Sequence, residues 1–160
     1  MVAPRRFGIG VGAGALVADQ AAKVYLIEVM AGRGWQPIEV APFFNLVMVW
    51  NRGISFGLFQ GAQEIGRWGF SVLAVLVSAW LVHWLGGLDR RPPALGAGLL
   101  IGGALGNAVD RIWRGAVADF FDFHVAGWHW PAFNLADIAI SVGVAFLLAD
   151  SLFAARPSPK

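Results

Sequence analysis

The stretch Ala94-Leu95-Gly96-Ala97-Gly98-Leu99-Leu100-Ile101-Gly102-Gly103-Ala104-Leu105-Gly106-Asn107-Ala108-Val109-Asp110-Arg111-Ile112-Trp113 decides the fold. From Ala94 to Gly106 every residue is apolar or glycine, and the whole run is long enough for a hydrocarbon core about 30 Å thick, which needs roughly 20 helical residues. Gly96, Gly98, Gly102, Gly103 and Gly106 are spaced so that neighbouring helix backbones can approach closely in lipid, which predicts that this helix is the most centrally packed of a bundle. Its far end carries Asn107, Asp110 and Arg111, three or four positions apart and so facing one side.

Three other segments have spanning length: Phe7 to Met30, Ile65 to Gly87 and Asn134 to Phe153. With 58% hydrophobic and 14% charged residues and a mean hydropathy of +0.63, the 160-residue chain is too apolar for a wetted globule. The reading is an all-α membrane protein, one integral domain over 1–160, with four transmembrane helices at about 7–30, 65–87, 94–113 and 134–153. The absence of cysteine excludes disulfides, thiolate metal sites and cysteine nucleophiles. The net charge of +2 comes with scattered Lys and Arg rather than a basic run interleaved with aromatics, so no nucleic-acid partner is expected. The first apolar stretch follows Arg5 and Arg6 like a secretory signal, but it is longer than an h-region of 7–15 residues and holds Asp19 and Lys23, so it is read as a resident helix.

Arg5, Arg6, Arg156 and Lys160 flank the two ends, and the loop Asp89-Arg90-Arg91-Pro92-Pro93 joins the second and third spans. The positive-inside bias puts all of these in the cytoplasm. The segments 31–64 and 114–133 are then outer. In the first, Phe43 to Trp50 is β-prone after the breakers Pro37 and Pro42, which predicts a small extracytoplasmic sheet. The second is expected to be a short loop or helix, with Trp128 and Trp130 at headgroup level.

Ionisable residues inside spans cost roughly 2.5–3.5 kcal/mol each on insertion scales, so each asks for a partner or a function. Asp19 and Lys23, one helical turn apart, can neutralise each other or line a site. Asp110 can pair with Arg111 or another nearby donor. Asp119 in the second outer segment and Asp137, one turn into the fourth helix after Asn134, fall at similar depth. Two carboxylates held close cannot both ionise cheaply, so one keeps its proton as an acid while the other serves as a base toward water. On spacing alone, this pair is one reading among several.

Five blocks extend the reading: Asp19-Gln20-Ala21-Ala22-Lys23, Asn51-Arg52-Gly53-Ile54-Ser55-Phe56, Gly102 through Arg111, Val117-Ala118-Asp119-Phe120, and Phe133-Asn134-Leu135-Ala136-Asp137. In order, spacing and setting they resemble lipoprotein signal peptidase, or signal peptidase II, along nearly the whole chain. Ile54 departs from the small residue that many relatives carry there. The resemblance implies an aspartyl endopeptidase of the bacterial cytoplasmic membrane with Asp119 and Asp137 catalytic. It implies Asp19, Lys23, Asn51, Gly53, Asn107, Asp110, Arg111 and Asn134 as substrate-binding or supporting residues. The implied substrate is a diacylglyceryl-modified prolipoprotein, cut on the amino side of its lipid-bearing cysteine by a monomer among membrane lipids, at a site near the outer face. No metal and no organic cofactor is implied.

Three rivals remain on the residues. A transporter or proton relay would use the same buried charges but spread them through the bilayer depth. A metallopeptidase would need His124, His129, Asp119 and Asp122 to converge, whereas two histidines five positions apart on a helix diverge. A non-enzymatic scaffold would use the polar residues only for helix association. The stretch Ile54 to Gln60 is a candidate lid over the groove.

Overall fold

The structure is a computed structural model and describes residues 3–53 and 62–154. The candidate lid, Ile54 to Gln60, lies outside the described residues. Among the described residues there are four helices: α1 (Pro4–Gly32), α2 (Ala62–Trp84, closed by a 3-10 turn at Leu85–Gly87), α3 (Arg91–Arg114) and α4 (Leu135–Ala154). Three stretches, Glu64–Gly87, Arg91–Arg114 and Leu135–Phe153, are long and apolar enough to cross a membrane. α1 has 29 residues and so the length, about 44 Å at 1.5 Å per residue, but Asp19, Gln20, Lys23 and its glycines lower its hydropathy below that standard.

α3 lies at the centre of the bundle and packs on α1, α2 and α4. Its glycines form two stripes. A Cβ on Gly98 would strike the Gly8 carbonyl oxygen of α1, and one on Gly102 the Gly12 carbonyl oxygen. A Cβ on Gly96 would come within 2.9 Å of the Gly143 carbonyl oxygen on α4, and one on Gly103 would strike that of Ala136. Backbone thus meets backbone on both sides, the close approach that small residues permit where lipid supplies no hydrophobic drive between helices. Away from the sheet, Leu81, Leu85, Ala94, Ala97 and Ile101 form the buried apolar core.

At the other end lies a four-stranded antiparallel sheet in the order β1 (Ile38–Ala41), β2 (Phe44–Asn51), β3 (Val117–Val125) and β4 (Trp128–His129). The segment 114–133, expected as a loop or helix, is therefore a hairpin. β3 gains its partner from far away in the chain, pairing Val49 with Asp119, Trp50 with Ala118 and Asn51 with Val117. The sheet takes its strands from the α1–α2 and α3–α4 connections, so it ties the two halves of the bundle together above their shared end.

Candidate active site

Asp119 and Asp137 arrive by different routes. Asp119 is the third residue of β3 and is buried, 2% exposed, while Asp137 sits in the first turn of α4. Asn134 joins them. Its side-chain amide nitrogen donates to Asp119 Oδ1 at 2.6 Å, and its side-chain oxygen accepts the Asp137 backbone N–H at 3.1 Å. Asp137 Oδ2 in turn accepts the Asn134 backbone N–H at 3.1 Å. That reciprocal pair is the capping-box arrangement, with an asparagine at the cap and an aspartate three residues on, and it satisfies two N–H groups that a helix start leaves open.

Two more amides complete the ring. Asn51 donates to Asp119 Oδ2 at 3.0 Å, which the β2–β3 register allows by placing it diagonally across from Asp119 on the same face. Its side-chain oxygen accepts the Gly53 N–H at 2.9 Å, folding the chain back. Gly53 has φ +90°, and a Cβ there would crowd the Phe70 ring at 3.0 Å, so both conformation and space call for glycine. Asn107 of α3 donates to Asp137 Oδ1 at 2.8 Å, while its oxygen accepts from Asn134 at 3.2 Å and from Lys23 Nζ at 3.1 Å.

Behind this ring is a buried charge cluster. Lys23 contacts Asp19 Oδ2 and Asp110 Oδ2, each at 2.9 Å, and all three side chains are at most 1% exposed. With Asn107 these use all three ammonium donors. Both carboxylates also reach backbone beside the candidate pair. Asp19 Oδ1 accepts the Ala136 N–H at 2.9 Å, and Asp110 Oδ2 accepts the Ala118 N–H at 3.1 Å. Each buried acid thus accepts the backbone N–H of the residue immediately before one aspartate of the pair.

Asp110 does not pair with Arg111. Its other cation is Arg114, one turn on, and Gln20 donates to it at 3.3 Å. Gln20 and Arg114 are the members of the cluster that sequence reading missed. The signal was available, because Arg114 stands at the i+4 position from Asp110 while Arg111, at i+1, points elsewhere. Gly106 belongs here as well: a Cβ on it would come within 2.5 Å of Asp19 Oδ2.

Arg111 turns instead toward a groove between α2, α3 and α4, lined by Phe70, Leu73, Val77, Leu100, Asn107 and Asp137. Its guanidinium lies 5.3 Å from the Phe70 ring centre, and its buried Nε has no hydrogen-bond partner among the described residues. A cation donor therefore faces the same hollow as Asp137.

Burial pushes the Asp119 carboxyl up to about 6; the Asn51 and Asn134 donors and Lys23 oppose the rise, and the Asp137 charge adds to it. The folded chain thus holds this proton more tightly than an unfolded chain with an ordinary value of 3.8. The stability that the proton confers is complete at low pH and falls as pH rises from about 4 to about 6. A two-unit shift corresponds to about 3 kcal/mol, and solvent screening at the rim reduces it to about 1–2 kcal/mol. Relative to wild type, Asp119→Asn accordingly gains stability between about pH 5 and about pH 8, on top of a pH-independent loss from setting its amide against the Asn51 and Asn134 donors. Thermal unfolding of both proteins at the two pH values measures this, and a stability difference independent of pH would contradict it.

The histidines behave differently from a helical pair. His124 and His129 face each other across the β3–β4 hairpin and stack at 5.0 Å, while His129 Nδ1 lies 2.8 Å from Asp122 Oδ1. Burial alone would raise the Asp122 carboxyl, but the His129 and Asn45 hydrogen bonds and the two imidazoles hold it below the ordinary range. Among the described residues no group of three or more His, Asp or Glu side chains is placed to hold a metal ion. The buried charges gather toward the sheet end, while Arg90 and Asp150 pair at 2.9–3.0 Å at the other end.

A family model described as "Signal peptidase (SPase) II" matches residues 11–153. The lipoprotein signal peptidase of Methylobacterium sp. (strain 4-46) is 46% identical over 94% of this chain and 91% of its own length. That of Nitrobacter hamburgensis is 44% identical over 98% of each. Two structures of a bacterial membrane enzyme solved by the in meso method superpose with TM-scores of 0.73 and 0.76 at 26% identity, covering 96% and 93% of this chain and 94% of each of theirs. By sequence over nearly its full length and by fold, this chain belongs to the signal peptidase II family of membrane aspartic endopeptidases.

Proposed function

We propose that Asp119 and Asp137 are the catalytic pair with which this signal peptidase II cleaves a diacylglyceryl-modified prolipoprotein on the amino side of its lipid-bearing cysteine. The observation that carries the reading is the Asn134 bridge, which ties the two carboxylates to one amide within a ring of donors. The ionised aspartate takes a proton from water as it attacks the scissile carbonyl. The protonated one donates to the developing oxyanion and then to the leaving amine. The raised pKa of Asp119, about 6, supports a proton that stays in the pair to a higher pH than an ordinary aspartate would hold it. Arg111, which lines the groove beside Asp137, is suited to a substrate carbonyl.

The same reading makes the chain one integral membrane domain, working as a monomer without nucleic acid. All four helices span the bacterial inner membrane with both ends in the cytoplasm and the site near the outer face. The basic residues at the two ends and in the Asp89 to Arg91 loop support that orientation.

The test is cleavage of a synthetic lipidated precursor by the purified protein in lipid, with the products weighed by mass spectrometry. The expected product begins at the lipidated cysteine, the unlipidated peptide is left uncut, and the rate survives strong chelators. A cut elsewhere, or activity lost to chelators and restored by a divalent metal, would overturn the reading.

A further inference from the structure

Asp119 and Asp137 stand on different elements, β3 and α4, so the distance between them depends on what holds those elements to one frame. Two arms do this from behind. Asp110 of α3 accepts the Ala118 N–H, one residue before Asp119, and Asp19 of α1 accepts the Ala136 N–H, one residue before Asp137. Whatever sets Asp19 against Asp110 therefore bears on the separation of the pair.

Two residues of α1 cross between the arms, and they differ in kind. Lys23 meets Oδ2 of each acid with a compact ammonium, which attracts both without fixing the plane of either carboxylate. Gln20 reaches the same two acids with a planar amide. Its Nε2 lies 3.0 Å from Asp19 Oδ2, 3.3 Å from Asp110 Oδ1 and 3.1 Å from the Gly106 carbonyl oxygen. Its Oε1 accepts from Arg114 Nη1 at 3.3 Å, and Arg114 also pairs with Asp110. Only one orientation of the amide satisfies these neighbours, because the carboxylates and the carbonyl only accept while the guanidinium only donates.

The consequence is a restraint on rotation. Asp110 is gripped at both oxygens, Oδ2 by Lys23 and Oδ1 by Gln20 and Arg114, which keeps its carboxylate turned toward Ala118. Asp19 is tied through Gln20 to Asp110 and to the α3 backbone at Gly106, which keeps its free oxygen on Ala136.

We propose that Gln20 is a positioning residue that braces the Asp19 arm against the Asp110 arm and so fixes the separation of Asp119 and Asp137. The inference rests on the proposed catalytic role of that pair. A shift of about 1 Å, caused far from the chemistry, can lower a rate on the order of 10²-fold, so a brace that touches no substrate still governs turnover.

Gln20 is neutral, which makes the test clean. Gln20→Met keeps the length of the side chain and leaves every ion pair of the cluster in place. One measurement is amide hydrogen exchange in detergent micelles, with the Phe121 N–H as reference because the Phe133 carbonyl oxygen holds it on the same strand as Asp119. Exchange at Ala118 and at Ala136 is expected to quicken at least threefold relative to Phe121. The other measurement is turnover of a lipidated precursor, in which kcat is expected to fall at least threefold with KM within twofold of wild type. A smaller change at either amide or in kcat, or a loss carried by KM, would overturn the proposal.

Arg114→Met supplies a second variant. Arg114 pairs with the Asp110 arm, so Ala118 should quicken more than Ala136. Equal quickening of the two would mean a general loosening, and would also overturn the proposal. Exchange reads the backbone without turnover, so failure of the aspartate pair in Asp119→Asn and Asp137→Asn is distinguishable from failure of the brace.

Discussion

Asp119→Asn and Asp137→Asn each lower turnover of a lipidated precursor by at least about 10³-fold, within the range that a positioned acid or base contributes. Asparagine matches aspartate in shape but can neither accept the proton of water nor return one to the leaving amine. KM is expected to change little, since Asn51, Asn107 and Asn134 still frame the site. The double variant should be scarcely slower than either single one, because the pair acts as a unit and its effects do not add. Gel-shift processing by folded, purified variants is the measurement. Retention of more than about a tenth of wild-type turnover by either single variant would remove that residue from the catalytic role.

Lys23→Met is expected to cost about 3–5 kcal/mol of stability, the range for breaking one partner out of a buried ion network. Lys23 is fully buried, and its loss leaves Asp19 without a cation and away from water, while Asp110 keeps Arg114. Exposed pairs in the same protein, such as Arg67 with Glu64, fall in the class worth at most about 1 kcal/mol. Lys23→Met/Asp19→Asn should recover part of the loss by removing the stranded charge, and this non-additivity identifies the mechanism. Lys23→Arg should not rescue, because a planar fork cannot replace a compact ammonium among three acceptors. Unfolding of the three variants in detergent reads these differences. Equal stability of Lys23→Met and wild type would mean that the cluster is not ionised as drawn.

The helices were legible because a bilayer imposes a length and a hydropathy that sequence displays directly, and the glycine spacing of α3 marked the central position. The family blocks picked out the aspartates and asparagines whose side chains the fold brings together. β3 was not, because a strand is stabilised by its partner, and β2 lies a whole helix pair away in the chain. The tasks of Asp19 and Asp110 were hidden for a related reason. Their targets are the backbone N–H groups of Ala136 and Ala118, and any residue type offers one. The histidine pair was misjudged because helical geometry was applied to residues that sit on a hairpin.

The Asp19 contact with the Ala136 N–H also bears on how the protein is made. α1 supplies an anchor for the start of α4, 117 residues later in the chain. While waiting, Asp19 and Lys23 shield each other within a single helix, so α1 can reside in lipid before its neighbours arrive. The site proposed for Asp119 and Asp137 is therefore assembled only when α4 docks on α1 and α3, however early α1 has entered the membrane.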